Sequence, residues 1–303
     1  FTNYLGSVGA GFLTEVTANG ETVRTYLDAG ENPPRGAIIA YALTEAPGEP
    51  LSVVIRNGKG EEVRTFSSRL EDDPPKAKEV RAPANAGGNR FVWDLRHAPI
   101  TKIVGDDPTA EGPMPGPFAV PGDYTVTLKV GDVELTQPFS VIKPHDADTS
   151  QADLDAQHDL SMRISRQLDR TVKTINRMRD VRAQLDGLET RAKDHEGAGE
   201  IPGAATEIRG HVLQLEQLLA MPDLRPGWAD GINAGARLFE KLAGLPDAVQ
   251  MGDYRPTDAA EEAFMDMTAR IEKVIADFDQ LVTGELADLN TAARAASLPA
   301  AIV

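Results

Sequence analysis

The sequence predicts an α+β protein in two parts, an antiparallel β-sandwich followed by an α-helical bundle. Two observations carry this. Up to residue 141, short apolar runs alternate with polar residues and are punctuated by Pro and Gly, which is the period of half-buried strands. From residue 149 on, apolar residues recur every three or four positions, which gathers them on one face of a helix.

The first strand is GAIIAYAL at 36–43, bounded by Pro34 and Pro47. LSVVIRNGKGEEVRTF at 51–66 is two strands around Asn57-Gly58-Lys59-Gly60, because Asn and Gly accept positive φ at little cost. NRFVWDL at 89–95 is another run. GDYTVTLKVGDVELTQPFSV at 122–141 is a second hairpin turning at Gly131-Asp132, with Tyr124, Val126, Leu128 and Val130 on one face. Such alternation buries one face of each of two packed sheets. Residues 67–86 and 99–121, rich in Pro and Gly, read as surface excursions and as the expected contact surfaces.

Thr149-Ser150 followed by Asp153 reads as a helix start. The stripe Leu154, Ile164, Leu168, Val172, Ile175, Met178, Val181, Leu185 and Leu188 predicts one long helix ending near Gly197 and Gly199. Further helices are expected at about 204–220, at about 229–243 and from a Thr257 cap through Leu281. Apolar stripes need partners, so the helices are expected to pack as a bundle. The domains are then a lead-in segment or the end of a preceding domain at 1–30, a sandwich at 31–144 and a bundle at 149–303.

Composition narrows the function. With 47 Asp and Glu against 31 Lys and Arg, the net charge of −16 argues against nucleic acid, whose phosphates need a basic face. No apolar run approaches the roughly 18 residues needed to span a bilayer. Without cysteine the chain has no disulfide, no thiolate metal site and no cysteine nucleophile. It opens FTNYLGSVGAGFL, without Met or a basic stretch before an apolar core, which reads as a processed chain or the tail of a longer one.

Chemical motifs are sparse. Trp93-Asp94 occurs once, whereas a propeller repeats its blade about every 40 residues, so Trp93 is expected in the core with Asp94 turning the chain into Leu95-Arg96. GSVGAG at 6–11 lacks the dinucleotide-binding spacing. His145, Asp146 and Asp148 offer close-spaced ligands, and Asp146 and Asp148 are weak metal candidates, but the order of an EF-hand loop is missing. Carboxylates at a helix start complement its dipole in any case. GDD at 105–107 reads as turn chemistry, and the remaining histidines have no ligand spacing. No nucleophile elbow or phosphate loop is present, so neither a catalytic residue nor a cofactor is expected.

The string NPPRGAIIAYAL, VVIRNGKGEEVRTF, GGNRFVWDLR, GPFAVPGDYTVTLKVGDVELTQPFSV and SQADLDAQHDL, followed by DYRPTDA and LADLNTAARAASLPAAI, resembles the C-terminal region of bacterial sortilin-like, BNR-repeat propeller proteins of glycosyl-hydrolase-like type. The β-half also resembles the Ig-like domain of flagellar hook-capping proteins, through VRTF and PGDYTV. The resemblance implies an Ig/fibronectin-III-like sandwich, an extracytoplasmic location and an upstream propeller with Asp-box turns; the propeller and its Asp boxes do not lie in this chain. It carries over Trp93 as a core residue and Gly122 and Tyr124 as the turn and start of a strand. The expected role is a non-catalytic C-terminal module docking on its own or a separate propeller, or on other subunits. Alternatives are a carbohydrate-binding module with a glycan partner, disfavoured by 5% aromatics, and a hydrolase in its own right.

Overall fold

The computed structural model describes residues 12–16, 22–27, 34–68, 80–104, 114–143, 147–221 and 235–298. The protein is α+β with antiparallel sheets, and it divides into two compact units. The β unit comprises residues 1–98 and 121–143; the helical unit comprises 99–120 and 144–303.

In the β unit, β1 (Phe12–Val16) pairs antiparallel with β2 (Thr22–Tyr26). The segment expected as a lead-in therefore carries a hairpin. β3 (Ala37–Leu43) pairs with β6 (Gly87–Trp93), from Ala37 opposite Trp93 to Leu43 opposite Gly87. Gly36 lies at φ +140°, and a Cβ there would stand 2.0 Å from the Trp93 carbonyl oxygen, so this close approach needs glycine. The third sheet runs β5-β4-β7-β8, with β4 (Leu51–Asn57), β5 (Glu62–Ser67), β7 (Gly122–Val130) and β8 (Val133–Val141), all antiparallel.

The β4–β5 turn is built by Asn57. Its side-chain oxygen accepts the Lys59 and Glu61 amides, each at 3.0 Å, and its amide nitrogen donates to Glu61 at 2.8 Å. Alternation along β4 buries Leu51, Val53 and Ile55 completely. Rings join the sheets: Phe66 meets Phe91 edge-on at 5.1 Å, and Trp93 lies 5.7 Å from Tyr124 and 6.1 Å from Phe139. Tyr41 donates to the Pro83 carbonyl, and burial pushes its hydroxyl pKa up to about 12.

The helical unit begins with α1 (Gln151–Ala192), a helix of 42 residues. Its Ser150 cap accepts the Asp153 amide at 3.2 Å. Then come α2 (Ile201–Leu219), the short α3 (Leu238–Ala243) and α4 (Leu245–Val249), α5 (Asp258–Thr283) and α6 (Glu285–Ala295). The stripe from Leu160 to Leu188 on α1 packs into one core with Ile208 and Val212 of α2 and Ile271, Ile275 and Phe278 of α5. Across that core, Arg163, Arg170 and Arg177 of α1 reach Glu261, Glu272 and Asp279 of α5 at 3.0, 2.8 and 2.9 Å. The seven-residue spacing of these arginines keeps them on one edge of α1, and their partners ascend in the same order, so α1 and α5 run parallel.

Three boundaries differ from the sequence reading. The helix expected at 229–243 begins at Leu238; residues 229–234 lie outside those described, and Gly235, at φ +74°, stands before the Arg237 cap. The Glu240 carboxylate there accepts the Arg237 amide at 2.8 Å. Gly284 separates α6 from α5, so the C-terminal stretch contributes a helix of its own. Residues 99–120, expected in the sandwich, belong with the helices. Ile100 and Ile103 are buried in the helical core, the Thr101 amide donates to Asp169 at 2.8 Å, and Asn176 exchanges hydrogen bonds with Val104 and Lys102. This part of the expected contact surface is thus a strap bound to α1. Ala82, in the other excursion, is buried too.

Candidate functional site

Gly197 and Gly199, both at positive φ, let the chain reverse out of α1, and Pro202 starts α2 where an amide would have no partner. α2 turns Ile201, Ala205, Ile208 and Val212 toward the core. Arg209 fixes its rotation by reaching Asp186 at 2.8 Å and Glu189 at 3.3 Å on α1. A hydrogen bond from Thr206, then one from Lys193, holds the Glu189 carboxyl below its ordinary range.

Between α2 and the facing side of α6 lies an open groove of about 920 Å³. Its floor is apolar and mostly small: buried Ala198, Ile201, Ile208 and Leu289, with Ala204, Ala292, Ala295 and Ala296 above them. Its rim is acidic, with Glu200, Glu207, Glu285 and Asp288 all exposed, and no Lys or Arg is among its described lining residues. His211 Nδ1 lies 3.0 Å from Glu285 Oε2, and both residues line the groove as well as an adjoining recess of about 340 Å³ that runs on to Leu215, Gln280 and Leu281.

Beneath α2, the Glu216 carboxylate is fully buried. Arg179 Nε donates to it at 2.7 Å and Arg182 Nη1 donates to its other oxygen. Arg179 also donates to the Val104 carbonyl at 2.7 Å, so one guanidinium ties α1 to both α2 and the strap. This triad pins the C-terminal part of α2 to α1.

The residues singled out by the sequence do not converge on a site. Trp93 is fully buried and its indole donates to the Arg96 carbonyl at 2.9 Å. Asp94 accepts the Arg96 amide at 3.2 Å and lies 3.8 Å from Arg64, while Leu95 takes φ +58° in the same turn. Gly122 opens β7 opposite Val141, and Tyr124 is buried two residues on. His145, Asp146, the 105–107 turn and GSVGAG lie outside the described residues, and Asp148 is exposed. Among the described residues no cluster of three potential metal ligands occurs, and no helix is long and apolar enough to cross a membrane. The groove escaped the sequence reading because alanines carry its floor. A signal for Glu216 was present, since it falls between Val212 and Leu219 in the apolar register of α2.

At the start of α1 the informative acid is Asp153. Hydrogen bonds from Ser150 and then Arg255, the latter at 3.1 Å, hold its carboxyl below the ordinary carboxylate range. A depressed folded-state pKa contributes stability above the unfolded value of about 3.9, and that contribution is lost as pH falls through the folded value. Asp153→Asn is expected to lower the Tm of the helical unit at neutral pH, with the difference from wild type closing as pH falls through the lowered folded-state pKa of Asp153. Thermal melts across that range check it; a gap that persists in acid would assign the loss to packing.

Comparison with known protein families, with curated proteins and with solved structures finds no match to this chain.

Proposed function

We propose that this chain is a non-catalytic interaction module, the C-terminal accessory part of an exported propeller protein of the sortilin-like, BNR-repeat kind. In this reading the β unit is an Ig/fibronectin-III-like sandwich and the helical unit a bundle that docks on the propeller or on another subunit. Rings interlocking across antiparallel sheets support the first assignment, and the shared core of α1, α2 and α5 supports the second. The observation that carries the docking role is the α2–α6 groove, an apolar concavity on braced helices with a polar rim, which is the anatomy of a protein-binding surface.

Photo-crosslinking tests this. With benzoylphenylalanine at Ala292, on the groove wall, the natural full-length protein in its source cells is expected to form an adduct with a propeller, in cis or in trans, or with one other subunit. Absence of any protein adduct, or turnover of glycoside substrates by the isolated chain, would overturn the reading.

A further inference from the structure

We infer that the α2–α6 groove receives a cationic amphipathic helix of a partner protein, lying along α2 over about four turns. This rests on the docking role proposed above and specifies its partner. Shape comes first. Between Ile201 and Leu215 the groove and its adjoining recess follow α2 for about 21 Å at 1.5 Å per residue, a span that a helix of about 14 residues matches. Two helices already form the walls, and a third can seat its ridges between them at interaxial distances of about 8–10 Å. The alanines at 204, 292 and 295 leave room for the occupant to bring the bulky side chains, so its buried face is rich in Leu, Met or Phe.

Charge fixes the rest. Glu200 and Glu207 stand on the α2 side, and Glu285 and Asp288 on the α6 side. Lys or Arg flanking the apolar face of an occupant would meet carboxylates on both rims, whereas an acidic helix would be repelled from both. The surrounding net charge of −16 would steer a cation in and an anion away.

Fluorescence anisotropy with the full chain tests this, using a labelled 14-residue peptide with Leu on one helical face and Lys on both flanks. Its controls are a Glu-flanked version and a version broken by central prolines. The Lys-flanked peptide is expected to bind saturably, and each control at least about tenfold more weakly. Ala204→Trp, which fills the floor without changing charge, is expected to weaken binding at least about tenfold, and Glu207→Gln with Asp288→Asn about fivefold at low salt. Circular dichroism of each variant establishes that it is folded. Equal binding to wild type and Ala204→Trp would mean adhesion to an acidic surface and overturn the inference, as would equal binding of the Glu-flanked peptide. A dimer in sedimentation that Ala204→Trp dissociates would make the occupant a second copy, overturning it also. An adduct at Ala292 together with failed peptide binding removes the cationic helix alone; loss of the adduct removes the docking role itself.

Discussion

Trp93→Ala is expected to unfold the β unit at a temperature at least about 10 °C below wild type while leaving the helical unit's transition where it is. The indole is fully buried, lies within 6.1 Å of both Tyr124 and Phe139, and donates to the Arg96 carbonyl. Truncating a large buried aromatic costs about 3–5 kcal/mol, because transferred surface is lost and the cavity collapses only in part. Against a domain stability of about 5–15 kcal/mol that is a large share. For a domain of this size each kcal/mol moves Tm by several degrees. The restriction to one unit follows from where the core residues lie: among the described residues, the helical core is built from residues between Ile100 and Leu298 and includes none of a strand. Scanning calorimetry is expected to resolve two transitions of which one moves, with the helical circular dichroism signal surviving the first. If both fell together, the units would be one cooperative body.

What was legible in the sequence was local. Asn57 writes its own turn because its side chain can accept from the two amides that follow, whatever surrounds it. The α1 stripe is long enough that its period cannot be mistaken. Asn19-Gly20, between the runs that form β1 and β2, is the same kind of hairpin signal, though its flanking strands are only five residues each. The strap was hidden for a different reason. Ile100 and Ile103 sit in a Pro- and Gly-rich stretch with no period, and the extended backbone beside them is held by Asp169 and Asn176, some 70 residues away, which accept hydrogen bonds from its amides. The groove was hidden by composition, since alanine marks helix propensity more than surface shape. Long-range pairings and concavities are made by tertiary packing, which period and turn chemistry do not encode.

Glu216 shows what such a pairing is worth. Arg179→Met combined with Arg182→Met is expected to destabilise the helical unit by about 3–5 kcal/mol, because a fully buried carboxylate is left without either guanidinium. The two arginines are themselves partly exposed, at 19% and 27%, so the reverse change, Glu216→Leu, leaves cations that can turn to water and is expected to cost less. The triple variant, Arg179→Met, Arg182→Met and Glu216→Leu, is expected to recover most of the loss, since an apolar trio of similar volume removes the desolvation cost together with the attraction. Recovery is expected to stop short of wild type, because Arg179 also holds the Val104 carbonyl and methionine cannot. Urea denaturation followed by helical circular dichroism orders the four proteins. A double variant as stable as wild type would mean that Glu216 reaches water, and the triad would then not pin α2 to α1. A triple variant as damaged as the double would mean that strap attachment, not charge pairing, is what these arginines chiefly provide.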